Sequence, residues 1–147
     1  MTRRIVIGQG VVDWVADHQH RPGGAYGPSL GIGMEKDGAL IAGVVYNEYN
    51  KVNINMHVAS IGANWMTREY LFACFDYPFN KAKVKRVSAF IEEDNEAAIR
   101  FDTHLGFKYE TRLKDFYVGG DMIVMVMRRE DCRWLDIVKP EKMRIAA

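Results

Sequence analysis

The stretch Val84–Phe107, VKRVSAFIEEDNEAAIRFDTHLGF, decides the fold. An apolar run of Val84, Val87, Ala89, Phe90 and Ile91 crosses three acids, Glu92 to Asp94, into a helically spaced pattern that stops at Leu105-Gly106. Read locally, this is a buried strand, a turn over Glu92–Asp94 and a helix of about three turns. Gly106 can adopt the left-handed conformation that closes a helix, and Phe107 can pack back on the helix it follows. Such a unit gathers polar groups at the carboxyl end of the strand, where an open sheet offers a ligand crevice.

Upstream, Arg4–Ile7 reads as a short strand, and Val11, Val12, Trp14, Val15 and His18 follow with helical spacing that ends before His20-Arg21-Pro22. The loop RPGGAYGPS is turn chemistry throughout and is suited to move over a cleft. Its glycines lack the preceding strand and following helix of a phosphate-binding loop. From Leu30 the period changes to two. Ser29–Glu35 and Ala39–Glu48 form a hairpin about Lys36-Asp37-Gly38. Next, Val52, Ile54, Met56 and Val58 alternate with Asn53, Asn55, His57 and Ala59. A polar face on a central strand points to a cavity, which singles out His57.

Asn64 is expected to cap a helix running from Trp65 to about Asp76, where Tyr77-Pro78 disfavours further regular helix. Phe72, Phe75 and Phe79 read as core aromatics. The free N–H groups at the start of this helix, with Arg68 one turn in, would seat a pyrophosphate. Lys108–Asp115 and Asp121–Arg128 follow as strands joined across Tyr117–Gly120, and MIVMVM at Met122–Met127 implies burial on both sides. Arg128–Arg144 reads as a short terminal turn or helix anchored by Trp134 and Leu135, with the last residues frayed. The expected class is α/β (α+β): one domain over 1–147, with a mixed, mostly antiparallel central sheet and helices on both faces.

Composition narrows the function. The 147 residues are 48% hydrophobic and 27% charged, as in a globular protein. With 20 Lys plus Arg against 19 Asp plus Glu, nothing draws the chain to nucleic acid or to an anionic membrane, and neither is an expected partner. The basic runs Lys81–Arg86 and Arg128-Arg129 read as solvated strand flanks. Cys74 and Cys132 make no disulfide framework, and neither a leader nor a membrane-length apolar run is visible, so a cytoplasmic location is expected. There is no H-E-x-x-H, His18 and His20 are poorly spaced for a shared metal, and no G-x-S-x-G elbow occurs.

Asn95, Ala98, Gly106 and Phe107, spaced N-x-x-A-x7-G-F behind a strand, resemble the last conserved block of the GNAT superfamily of acyl-CoA-dependent N-acetyltransferases. The tail, with Glu110, Lys114-Asp115 and Gly119-Gly120, looks like the branch containing ribosomal-protein N-terminal acetyltransferases and phage or bacterial relatives. The resemblance implies transfer of an acetyl group from acetyl-CoA to a primary amine, by direct attack in a ternary complex. A small-molecule or peptide amine would be the acceptor, selected by HRPGGAYG and the first helix, and a homodimer is compatible with the fold. The alternative is a non-catalytic module of this fold with weak or no cofactor binding.

In the superfamily the pantetheine arm enters a wedge where two parallel strands splay, which would here be the strands ending at Ala59 and Ile91. The resemblance places the cofactor against Ala59, Ser60, Asn64 and Trp65, and along Met66, Thr67 and Arg68. Across the wedge it implies Asn95, Ala98 and Phe101. The pyrophosphate loop Q/R-x-x-G-x-G/A is represented by SIGANWMTRE, which holds Gly62 and Ala63 without the full pattern. His57 is the first candidate general base, because its ordinary pKa lies near neutrality. Glu48, Glu92 and Glu93 are alternatives, Glu93 reading best as a solvated turn acid. Tyr117 would line the acceptor side or serve as a replacement acid. His104, on the last turn of its helix, is accounted for by the helix dipole. Many members carry a tyrosine acid four residues after the small alanine; this chain has Asp102 there, expected as an exposed helix residue.

Overall fold

A computed structural model describes residues 2–136 and 145–146. The elements are β1 (Arg3–Ile7), α1 (Gln9–His18), β2 (Ser29–Lys36), β3 (Ala39–Asn47), β4 (Asn53–Ser60), α2 (Arg68–Asp76), β5 (Arg86–Glu92), α3 (Glu96–Leu105), β6 (Lys108–Tyr117), β7 (Gly120–Arg128) and β8 (Ile145–Ala146). All strands belong to one sheet in the order β6-β7-β5-β4-β3-β2-β1-β8. The β4–β5 and β1–β8 pairs are parallel and the others antiparallel. The mixed sheet with helical crossovers expected from the sequence is therefore present.

The alternation of side chains along β3 and β4 divides the core between two faces. Val11, Val12 and Val15 of α1 pack with Val45 and Ala59 on one face. On the other, Tyr70, Leu71, Cys74 and Phe75 of α2 and Leu105 of α3 pack with Val44, Tyr46, Ile54, Met56, Val87 and Ile91. Glycine lets α1 approach its face closely: a Cβ on Gly43 would stand 2.5 Å from Val15 Cγ2, and one on Gly31 would stand 2.9 Å from Val11 Cβ. At the end of α3, Gly106 has φ +115°, and the Phe107 N–H donates to Asp102 O at 2.9 Å. This is the helix stop expected from Leu105-Gly106-Phe107. The β2–β3 turn places Asp37 and Gly38 at positive φ, as its Asp-Gly pair requires.

Two local expectations change. α2 begins at Arg68 rather than Trp65, and its cap is Thr67, whose hydroxyl accepts from the Tyr70 N–H at 3.1 Å; Asn64 lies outside the helix, exposed. Trp65 is instead drawn into the core, 4% exposed, beside Tyr70 and Phe101. Burying an indole outweighs adding one helical turn. As expected, regular helix ends at Asp76, before Tyr77-Pro78; Tyr77–Lys81 follow as one π-helical turn with the Ala82 N–H donating to Tyr77 O. Its start is where the missing proline N–H is tolerated. Finally, Arg129–Asp131 and Arg133–Asp136 form 3-10 turns, with Trp134 Nε1 donating to Leu105 O, while Ile145–Ala146 pair with β1 instead of fraying. The remainder of the expected terminal element, 137–144, lies outside the described residues.

Candidate active site

β4 and β5 are adjacent and parallel, yet they pair only at Asn53–Arg86, Ile54–Val87 and Asn55–Ser88. Beyond that point each strand keeps its outer partner. Met56–Ser60 stay paired with β3, and Ala89–Glu92 with β7. The inner edges from Met56 and Ala89 onward therefore face a gap with no ladder between them, which leaves backbone donors and acceptors for a ligand. A cavity of about 310 Å³ opens there.

On the α3 side its lining includes Met56, Trp65, Asn95, Ala98, Phe101 and Asp102, and on the α1 side Gln19, His20, His57 and Glu92. Of the residues the sequence assigned to cofactor binding, the fold brings Ala59, Ser60, Trp65, Asn95, Ala98 and Phe101 to this lining. Asn64, Met66, Thr67 and Arg68 are not part of this lining; they lie in the segment that leads through Trp65 into α2 and at its start. Thr67 satisfies the Tyr70 and Leu71 N–H groups, so those of Arg68 and Glu69 are the ones left without an intrahelical partner. Arg68 is exposed beside them, while Glu69 in the same turn carries the opposite charge.

Asn95 has two ends with different duties. Its Oδ1 caps α3 by accepting from the Ala98 N–H at 3.3 Å, which leaves its amide N–H groups to the cavity. His57 stands on the α1 face. Its Nε2 lies 2.9 Å from Asn47 Oδ1, and Tyr26 covers its ring at a centroid distance of 4.7 Å. Burial pushes its pKa down to about 4, so the ring is neutral through physiological pH. The same enclosure pushes the Tyr26 phenol up to about 12. The rest of the polar face of β4 serves the sheet: Asn53 accepts from Arg86 and Ser88 and donates to Asn55, below the splay.

The loop after α1 crosses to the far lip. Arg21 donates to Glu92 through Nε and to Asp94 through Nη2, and it lies over the Tyr117 ring, 5.2 Å from the centroid. The Tyr117 hydroxyl is 3.4 Å from Asp94 Oδ1, so Tyr117 belongs to this latch and not to the cavity lining. Glu93 is tied on the surface to Arg112. Glu48 sits exposed past the end of β3 with φ +56°; the fold does not bring it to the cavity.

Asp102 corrects the sequence reading. It is 8% exposed, lines the cavity, and its pKa is pushed up to about 7 by burial. The periodicity of α3 held the signal: Ala98, Phe101, Asp102 and Leu105 lie at spacings that share one face, and the other three are inward residues. Gln19, whose buried Nε2 lacks a hydrogen-bond partner among the described residues, was also missed, because nothing local marks a residue just past a helix end. Among the described residues no group of His, Cys, Asp and Glu could hold a metal, both cysteines are free and buried, and no helix is long and apolar enough to cross a membrane.

No protein-family profile and no curated protein matches the chain. Solved structures do. A mutant spermidine N-acetyltransferase SpeG from Vibrio cholerae aligns at 16% identity over 75% of this chain and 69% of that one, with a TM-score of 0.61. YncA from Salmonella typhimurium, described as a putative acetyltransferase with its cofactor acetyl-CoA, aligns at 17% over 68% and 64%, TM-score 0.59. A ribosomal-protein alanine acetyltransferase from Vibrio fischeri aligns at 15% over 71% and 64%, TM-score 0.59. The fold is that of the GNAT acetyltransferases, and the likeness singles out no branch.

Proposed function

We propose that this protein is an N-acetyltransferase that moves an acetyl group from acetyl-CoA to a primary amine by direct attack in a ternary complex. The observation that carries the reading is the parting of β4 from β5 after Asn55 and Ser88, with a cavity between the unpaired edges. Exposed strand edges offer alternating donors and acceptors, which suit the amides of a pantetheine arm. The free N–H groups of Arg68 and Glu69 and the Arg68 guanidinium suit a pyrophosphate at the start of α2. The residues present therefore fit acetyl-CoA, with Asn95 donating to the arm. When bound, acetyl-CoA supplies an acyl carbon activated by a thiolate leaving group.

The chain's own residues then have distinct tasks. Backbone N–H groups on the free edge of β4 polarise the acyl oxygen as charge develops on it. His57 accepts a proton at Nδ1, the nitrogen that Asn47 leaves bare. With a pKa near 4 it is a weak base, which will not strip a free alkylammonium. The acceptor must therefore arrive neutral, and His57 takes its proton once attack has made that nitrogen acidic. Arg21, Tyr26 and Tyr117 close the acceptor side against water.

Calorimetric titration with acetyl-CoA and with CoA tests the reading, followed by thiol release in the presence of an amine panel. Saturable binding of both nucleotides and amine-dependent thiol release support it. Absence of binding would replace it with the alternative, a binding module that keeps the fold without the cofactor.

A further inference from the structure

The basic runs Lys81–Arg86 and Arg128-Arg129 have no part in acetyl transfer, and the fold brings them together at one end of the sheet. The Lys85 N–H donates to Val52 O at 2.9 Å, tying the segment before β5 to the β3–β4 turn. The Arg129 N–H donates to Lys85 O at 3.2 Å, tying the same segment to the end of β7. A groove of about 510 Å³ lies there, lined by Lys83, Lys85, Arg128 and Arg129 with Asn80 and Glu130. Four cations thus meet one acid, a local excess hidden by a whole-chain net charge of +1. Arg129 is fixed by neutral groups, Nη1 donating to Phe79 O and Nη2 to Asn80 Oδ1, so its charge is held but not cancelled. Among the described residues no carboxylate pairs with Lys83, Lys85 or Arg128. The nearby acids are engaged elsewhere: Asp76 with Lys81, Glu110 with Arg86, and Asp131 with Lys108. The groove lies off the amino end of β5 and the wedge at its carboxyl end, so the two are separate.

The groove offers little besides charge, because its apolar residues, Phe79 and Val84, are 1% and 2% exposed. An acidic peptide is held through a free strand edge or an apolar pocket as well as through charge. A phosphodiester chain needs neither, since its backbone is bound by cations alone. Tyr49 supplies the complement. Its side chain is exposed, and its hydroxyl donates to Ala82 O at 3.4 Å, beside Lys83, which sets an aromatic face at the groove's edge for a base to stack on. Lys83 itself sits at φ +59°, a left-handed position where glycine is relaxed, so what a lysine brings there is its charge. We infer that this end of the sheet binds single-stranded nucleic acid, with Lys83, Lys85, Arg128 and Arg129 on the phosphates and Tyr49 against a base. The surface reads backbone and not sequence, and it stands independently of acetyl transfer.

Fluorescence anisotropy of a labelled DNA single strand of about 12 nucleotides and mixed sequence tests this on the full chain. Saturable binding is expected, weakening about 50-fold between about 50 and 200 mM salt if four phosphates are neutralised. Lys83→Gln/Lys85→Gln/Arg128→Gln should bind at least about tenfold more weakly, and its salt dependence over that range should shrink to about threefold. Tyr49→Ala should lose at least about fivefold. Lys83→Gly removes one charge while relaxing the backbone, so it should bind more weakly without melting earlier. Arg3→Gln/Arg68→Gln/Arg100→Gln takes the same charge from other parts of the surface, the start of α2 included, and should bind as wild type does. A poly-glutamate peptide of equal length should compete at least about tenfold less well than the unlabelled strand. No saturable binding, a control variant as weak as the groove variant, or a peptide that competes equally would each overturn the inference and leave acetyl transfer untouched.

Discussion

The Asn47 side chain is held at both ends: Nδ2 donates to Tyr26 O at 3.0 Å, and Oδ1 faces His57 Nε2 at 2.9 Å. A backbone carbonyl can only accept, so the amide cannot turn round, and His57 must carry its proton on Nε2. Nδ1 is then the basic nitrogen, with its tautomer set from the neighbouring strand.

Asn47→Asp replaces that neutral acceptor with a carboxylate that favours the imidazolium. The His57 pKa should rise from about 4 to above its ordinary 6.5, followed by NMR titration of the imidazole protons. Acetyl transfer at pH 6 should fall at least tenfold as the base becomes protonated. An imidazole still titrating near 4 would show that the side chains do not meet.

His57 and Asp102 pull stability in opposite directions with pH. His57 is lowered from 6.5 to about 4, so its contribution is lost as pH falls through that window. Asp102 is raised from 3.8 to about 7, so its contribution is full below 3.8 and lost as pH rises toward 7. Relative to wild type, Asp102→Asn should lose stability on acidification from pH 6.5 to 4.5, and His57→Gln should gain it. Each difference should be on the order of 2–3 kcal/mol at 1.36 kcal/mol per pKa unit. Urea denaturation at a series of pH values measures both; parallel curves for the three proteins would contradict the assignment.

Asn95 can be divided by chemistry. Asn95→Asp keeps the capping acceptor and loses the amide donor; Asn95→Ala loses both. The alanine variant should be less stable by about 1 kcal/mol, the aspartate variant close to wild type, and both should bind acetyl-CoA at least tenfold more weakly. Thermal melting and calorimetry give the two readouts. An aspartate variant with wild-type affinity would remove Asn95 from the cofactor contacts.

Gly43→Ala forces a methyl to 2.5 Å from Val15 Cγ2 and 3.0 Å from Val11 Cγ1. Val15 is fully buried and β-branched, so it cannot swing aside. A loss of about 1–3 kcal/mol is expected in denaturant unfolding. Gly24→Ala, with nothing within 4 Å of the added carbon, is the control and should be nearly neutral.

Arg21→Gln releases the latch. Amides of 19–28 should exchange faster with deuterium, and the acceptor KM should change while acetyl-CoA affinity does not, because Glu92 and Asp94 lie on the acceptor lip. Unchanged exchange would mean that the loop is held by other contacts.

Local chemistry wrote most of the fold. Alternation on β2–β4, the helical spacing of α1 and α3, the Asp37-Gly38 turn and the Gly106 stop depend on residues close in the chain, and each is found where the sequence placed it. The N-x-x-A block likewise put Asn95 and Ala98 beside the wedge. Tertiary packing decided the rest. Trp65 left its expected helix because a buried indole gains more than one turn of backbone hydrogen bonds. Glu48 was carried away from the cavity. Arg21 found Glu92 and Asp94 some seventy residues on. Above all, the states of Asp102 and His57 are properties of enclosure: no sequence pattern reports how much water reaches a side chain, and it is the loss of that water that keeps a proton on the carboxyl and off the imidazole.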